Sequence, residues 1–196
     1  MGTRARALPH RSDGVTHSWT LGVDDGELIV RTGVAGPAAR MGHRLTLAMT
    51  RWQARVDWAA GEPDSAELVV DVDSLQVLRG DGGVKGLSGP EQALARSNAL
   101  KSLSANRFPE IRFTAEGIET TADGYRLDGT LNIRGKARAH DVDLHVDDRG
   151  DSWLLTTEST VRQTDFGVKP YSMLLGSLHV ADEVTVAFSA RRSKGG

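Results

Sequence analysis

The chain has 196 residues, 39% hydrophobic and 26% charged, enough for one soluble core that buries roughly 70% of the surface an unfolded chain exposes. It contains no cysteine, which excludes disulfides, thiolate metal sites and cysteine nucleophiles. Twenty-four Lys and Arg against 26 Asp and Glu leave a net charge of −2, so no strong basic field draws it to nucleic acid or anionic lipid.

Residues 1–16 and 192–196 are polar and are expected to be flexible ends around one domain at 17–191. The start is basic but lacks the apolar region of a signal peptide, and no apolar run reaches the ~18–20 residues that cross a bilayer. The expected compartment is the cytoplasm. From Trp19 onward, apolar and polar residues alternate with period two, the signature of half-buried strands. Clear runs lie at 27–34, 45–49, 52–58, 68–72, 111–113, 125–133, 142–146 and 184–188. The 45–49 and 52–58 runs have opposite parity, so a bulge or break is expected at Thr50 and Arg51. Short turn signals, such as Asp123-Gly124, predict antiparallel hairpins. Two segments interrupt the strands. Residues 36–42 predict a helical turn opened by Pro37 and closed by Gly42. Ser88 and Glu91 have capping-box spacing ahead of a helix over 91–104, and the Gly-rich stretch 79–86 before it reads as a flexible loop. About eight strands and one substantial helix predict an all-β barrel or sandwich.

Motifs with chemical potential are few. The six His residues are scattered, and His140 and His145 read as opposite-facing residues of one strand. Asp71 and Asp73 read as the solvated side of a strand whose inner side carries Val70 and Val72. Asp165-Phe166-Gly167 matches the kinase magnesium tripeptide, but the remaining kinase motifs are absent, and it reads as an acidic turn. The loop at 80–86 lacks the Gly-Lys-Ser/Thr ending of a phosphate loop. No catalytic residue, metal or cofactor is assigned, so the protein is expected not to be an enzyme. Aromatic residues make up only 5%, and small inward candidates such as Ala48, Ala54, Gly129 and Ala187 favour a partly open lumen.

Four segments in order carry a resemblance. Val72-Asp-Ser-Leu75, Leu100-Lys-Ser102 followed by Phe108-Pro-Glu-Ile-Arg-Phe113, Gly129-Thr-Leu-Asn-Ile-Arg-Gly135 and Arg162-Gln-Thr-Asp-Phe-Gly167 resemble the signature segments of the YceI family over residues 65–190. The resemblance implies an eight-stranded antiparallel lipocalin-like barrel with one or two short helices. It also implies an elongated lumen for a polyisoprenoid, isoprenoid quinone-like or similar amphiphilic lipid, a transport role, and neither catalytic residues nor metal. Strand parity then nominates Leu45, Leu47, Met49, Trp52, Val70, Val72, Phe113, Leu127, Leu131, Ile133, Leu144, Val186 and Phe188 as lumen residues. Met41, His43, Tyr171, Leu174 and Leu175 are the entrance candidates. The expected partner is a hydrophobic or amphiphilic small molecule, and open barrel ends and edge strands suit a homodimer. A filled-barrel interaction module and a barrel used as a reaction chamber are the competing functions.

Overall fold

Alternating side chains turn most of the chain into strands, because each strand can bury one face and solvate the other. A computed structural model describes residues 17–83 and 85–195. β1 (His17–Gly22) and β2 (Gly26–Ala35) are followed by β3 (His43–Met49), β4 (Trp52–Ala59), β5 (Glu62–Asp71) and β6 (Leu75–Gly82). The helix α1 (Gly89–Leu103) comes next. β7 (Glu110–Thr121), β8 (Gly124–Ile133), β9 (Lys136–Ala139), β10 (Val142–Asp148), β11 (Ser152–Arg162), β12 (Ser172–Met173) and β13 (Leu178–Ser193) complete the fold. All form one antiparallel sheet in the order β1-β4-β5-β7-β8-β10-β11-β13-β2-β3-β6, with β9 on β8 and β12 on β13. The all-β antiparallel class is the one expected, built as a half-barrel of thirteen strands rather than about eight. The surplus is β1, β6, β9, β11 and β12: β9 and β10 both pair with β8 on either side of a break at His140 and Asp141, and β12 is two residues long.

The sheet curls because its connections force it to. β1 and β6 are its edges, and no ladder joins them among the described residues. Yet β3, next to one edge, runs into β4, next to the other, through Thr50 and Arg51 alone. Three peptide steps reach at most about 11 Å, so the two margins must meet there. Residues 72–74 cross the same seam between β5 and β6. The crossings are tied to each other: Thr50 N donates to Ser74 O at 3.3 Å, and Asp71 N donates to Arg51 O at 3.0 Å. Leu21, Leu28, Met49, Trp52, Val70 and Leu75 bury themselves at this junction, with Trp52 edge-on to Phe188 at 5.2 Å. Gly26 is required beside it, since a Cβ there would sit 2.0 Å from Ser189 O.

α1 lies against β6 beside the free part of the seam. Its capping box is as expected: Ser88 N and Ser88 Oγ both donate to Glu91 Oε2, at 2.8 and 2.6 Å. Arg96 staples it down, Nε donating to Leu75 O at 2.7 Å and Nη2 to Asp73 Oδ1 at 3.0 Å. The turn expected at 36–42 is a 3-10 turn at Ala39–Met41.

Several local expectations are corrected. Asp71 Oδ1 accepts from Asp73 N at 2.9 Å, which ends β5 and starts a 3-10 turn, so Val72 leaves the strand and the two carboxylates share no strand face. The stretch at 79–86 is strand as far as Gly82, which pairs with His43. At the C-terminus, β13 continues to Ser193, paired with Ser152, inside the stretch expected to be flexible. The other expected flexible end, 1–16, lies outside the described residues. His140 and His145 do not share a strand, since His140 sits in the break before β10. No helix among the described residues is long and apolar enough to cross a membrane.

Candidate functional site

The inner faces of the sheet and one side of α1 enclose a cavity of about 1140 Å³. That is at or above the upper end of the range for small-molecule pockets, roughly 300–1,000 Å³. One end is aromatic. Trp19 and Trp58 stack at a tilt 4.6 Å apart, Arg192 lies 5.5 Å over Trp19, and Trp153 closes the wall nearby under Lys194 Nζ at 3.9 Å. The other end is rimmed by Met41, His43, Leu94, Tyr171 and Met173. Met41, Leu94 and Met173 are each about half exposed, at 56%, 59% and 49%.

Strand parity places most of the nominated residues on this cavity. Leu45, Leu47, Met49, Val70, Phe113, Leu127, Leu131, Ile133, Leu144, Val186 and Phe188 all line it. Trp52 and Val72 do not. Trp52 is spent on the seam against Phe188, and Val72, 1% exposed, is turned into the packing by the 3-10 turn. Of the rim candidates, Met41, His43 and Tyr171 line the cavity and Leu174 and Leu175 do not. Both of these leucines have left-handed backbone (φ 51° and 54°), and that geometry aims Leu175 entirely into solvent. His43 Nε2 is bonded to Lys85 O at 2.7 Å.

Two contributors escape sequence reasoning. The first is α1, whose Leu94, Ala95, Ala99 and Leu103 face the cavity. The second is β11, whose Trp153, Leu155, Thr157, Ser159 and Val161 form a continuous lining row. Their period-two spacing is a usable strand signal, but Thr157 and Ser159 break the hydrophobic alternation that marks a strand.

Several polar groups on the lining are committed to partners in the wall, among them Thr32 Oγ1, which accepts from Leu45 N, and Gln163 Nε2, which donates to Ala181 O. Arg55 donates to Asp57 and Ser18, and Glu67 pairs with Arg112 on the outer face. The Arg55 and Ser18 bonds hold the Asp57 carboxyl below its usual range. Glu91 is held low by its bonds to Ser88. A further polar pair joins the β9–β10 break to β11. His140 Nε2 lies 3.1 Å from Ser159 Oγ, with its ring edge-on to Phe113 at 6.5 Å. Burial favours the neutral His140 ring and pushes its pKa down, while the nearby Asp141 carboxylate opposes the shift. Thr157 Oγ1 is buried with no hydrogen-bond partner among the described residues.

The segments that carried the family resemblance meet as structural joints. Val72 N donates to Pro109 O at 2.8 Å, and Arg134 donates from its guanidinium to Gly167 O. Gly135, left-handed at φ 71°, leaves room for the Phe108 ring, which an added Cβ would meet at 3.0 Å. Asp165 and Phe166 belong to a 3-10 turn closed by left-handed Gly167, and Phe166 is buried against Leu131, Val161 and Val168.

A family model described as YceI-like domain matches residues 33–191. No curated protein matches. Among solved structures, Burkholderia cenocepacia BcnA superposes with a TM-score of 0.63 at 18% identity, covering 87% of this chain and 98% of its own. The Campylobacter jejuni YCEI protein gives 0.51 at 12% identity, covering 100% and 92%, and a mutant form of it gives 0.56 at 14% identity, covering 76% and 85%. These likenesses speak for the fold.

Proposed function

This chain belongs to the YceI-like domain family, and on that premise we propose that it is a non-enzymatic carrier of a long-chain amphiphilic lipid, of polyisoprenoid or isoprenoid quinone-like type, held in the lumen. The observation that carries the reading is the cavity of about 1140 Å³, whose exposed wall is mainly apolar. An apolar tail there gains about 0.8 kcal/mol for each methylene removed from water. Association and ordering offset several kcal/mol of that sum, which favours a long tail over a short one. The rim of Met41, Tyr171 and Met173 gives such a tail an adaptable entrance. We place the carrier in the cytoplasm, and a homodimer would cover its exposed edge strands.

A filled-barrel interaction module accounts poorly for an open lumen of this size. A reaction chamber has one observation in its favour, the contact between His140 and Ser159. Among the described residues, however, no carboxylate is hydrogen-bonded to the His140 ring to orient it as a base.

The test is native mass spectrometry of the purified protein, followed by organic extraction. A stoichiometric long-chain isoprenoid is expected. A protein that stays empty and takes up neither added isoprenoid nor fatty acid overturns the carrier reading.

A further inference from the structure

Among the described residues, most of the large apolar side chains left exposed gather around the rim of the lumen: Met41, Leu94, Tyr171, Met173, Leu174 and Leu175. Three of them belong to one hairpin. Ser172 pairs with His179 and Met173 with Leu178, so Leu174 and Leu175 form its tip. The tip is held in shape: Ser177 Oγ donates to Leu174 O at 2.6 Å, and Ala38 N, from the neighbouring 3-10 turn, donates to Ser177 O at 2.8 Å. Both leucines have left-handed backbone, φ 51° and 54°, which is unfavourable for any residue with a bulky side chain. That strain brings no packing within the chain, because Leu175 is fully exposed and Leu174 about half exposed.

The charge around the tip says what would cover it. The whole chain has a net charge of −2, yet residues 28–56 and 166–181 contain no Asp or Glu. These stretches supply the 3-10 turn and the hairpin of the rim. The side chains of Arg40, in the turn, and Lys169, just before Tyr171, are exposed and make no hydrogen bond or ion pair among the described residues. The acids on the opposite side are committed: Glu91 accepts from Ser88 and is faced by Lys85 at 4.0 Å, and Asp81 pairs with Arg79 at 3.3 Å. A protruding apolar tip flanked by free cations and a half-exposed Tyr matches the interface of an anionic bilayer. A folded protein partner would need a pocket shaped to Leu175, whereas a bilayer adapts to any tip.

We propose that the rim is a membrane-docking surface, on which Leu174 and Leu175 insert into an anionic bilayer while Arg40 and Lys169 meet its phosphate head groups. Met41, Tyr171 and Met173 border the lumen beside the tip, so docking sets the mouth of the lumen on the bilayer. Docking itself needs no bound ligand. Only its purpose, the passage of a tail between bilayer and lumen, rests on the carrier reading.

The experiment sediments the full chain with phosphatidylcholine vesicles made with and without phosphatidylglycerol. The native protein is expected to bind the anionic vesicles at least about fivefold more tightly, a preference that high salt removes. Leu174→Asn combined with Leu175→Asn is expected to weaken binding to both vesicles by about tenfold or more. Asn accepts left-handed backbone, so this variant keeps its fold and its melting point. Arg40→Gln combined with Lys169→Gln should abolish the anionic preference and leave binding to neutral vesicles unchanged. Because the chain has no cysteine, Leu175→Cys takes a single polarity-sensitive dye, which should brighten several-fold on anionic vesicles. The same dye at Glu62→Cys, on the turn beyond Trp58 at the aromatic end, should not respond. A native protein that does not sediment, Asn or Gln variants that bind as the native protein does, or equal dye responses at the two positions overturns the docking surface. So does an Asn variant that turns a dimer into a monomer with vesicle binding unchanged, since a second copy then covers the tip. Uptake of geranylgeraniol from solution, read from the fluorescence of the lining residues Trp19, Trp58 and Trp153, separates the two readings. A protein that takes up geranylgeraniol and ignores vesicles loses the docking surface and keeps the carrier reading. One that docks and takes up neither isoprenoid nor fatty acid loses the carrier reading and keeps the docking surface.

Discussion

At the scale of single residues, His140 ties the lumen to pH. Its ring is half-buried beside Phe113, and burial lowers its pKa below the ordinary 6.5. The unfolded chain therefore takes up the proton first as pH falls. The stability associated with the neutral ring is fully present above about pH 6.5 and is lost as pH drops through the folded value. The depressed carboxylates Asp57, Glu91 and Asp148 have the same sign, but their window lies lower, below the usual carboxylate pKa near 4. Thermal midpoints between pH 8 and pH 5 are expected to fall in the native protein and to stay flatter in His140→Gln. An identical slope in the two proteins would show that the buried imidazole carries none of the effect. The sequence alone makes His140 look ordinary, since nothing in its neighbours reveals that the β9–β10 break turns it inward.

At the scale of elements, legibility follows the contrast between the two faces. β3, β8 and β10 alternate cleanly, and their lumen faces are readable from parity alone. β11 is hidden because Thr157 and Ser159 face inward while Leu154 lies on the opposite parity, which blurs the hydrophobic period. Hydroxyl side chains at lining positions erase the strand signal at that same place. β6 is hidden for a different reason. Gly80, Asp81 and Gly82 carry turn chemistry, and pairing with β3 keeps them in the sheet, Gly82 with a positive φ of 92°. α1 is legible as a helix from its cap, but not as a wall of the cavity, because tertiary placement decides that. None of its residues is fully buried; its cap, the Arg96 staple and the packing of Ala99, Leu100 and Leu103 against the core hold it in place. Ser88→Ala is expected to cost about 1 kcal/mol locally. Amide exchange should speed up several-fold over 89–103, with the global melting point scarcely moved. A uniform rise in exchange across the sheet would instead make α1 part of the global folding unit.

At the scale of the whole molecule, the question is whether the space inside the sheet is capacity or a packing defect. Ala54 decides it. It faces the cavity from β4, between Leu21 of β1 and Leu68 of β5, whereas its neighbour Gln53 is exposed on the outer face. In a close-packed interior, replacing Ala by Phe forces strain of about 1–3 kcal/mol. Into a lumen of about 1140 Å³ the ring has somewhere to go, so Ala54→Phe is expected to shift the melting point by no more than about 4 °C. It removes room for at least two methylenes of ligand, worth about 1.6 kcal/mol, so geranylgeraniol binding should weaken by about tenfold or more. Gln53→Phe places the same ring one residue away on the opposite face and should leave binding unchanged. If the two variants behave alike in binding, the lipid sits on the surface and the lumen is not its site. If Ala54→Phe unfolds the protein, the strands around the crossing at Thr50 and Arg51 are already at full density, and the usable cavity is confined to the side walled by α1 and β11.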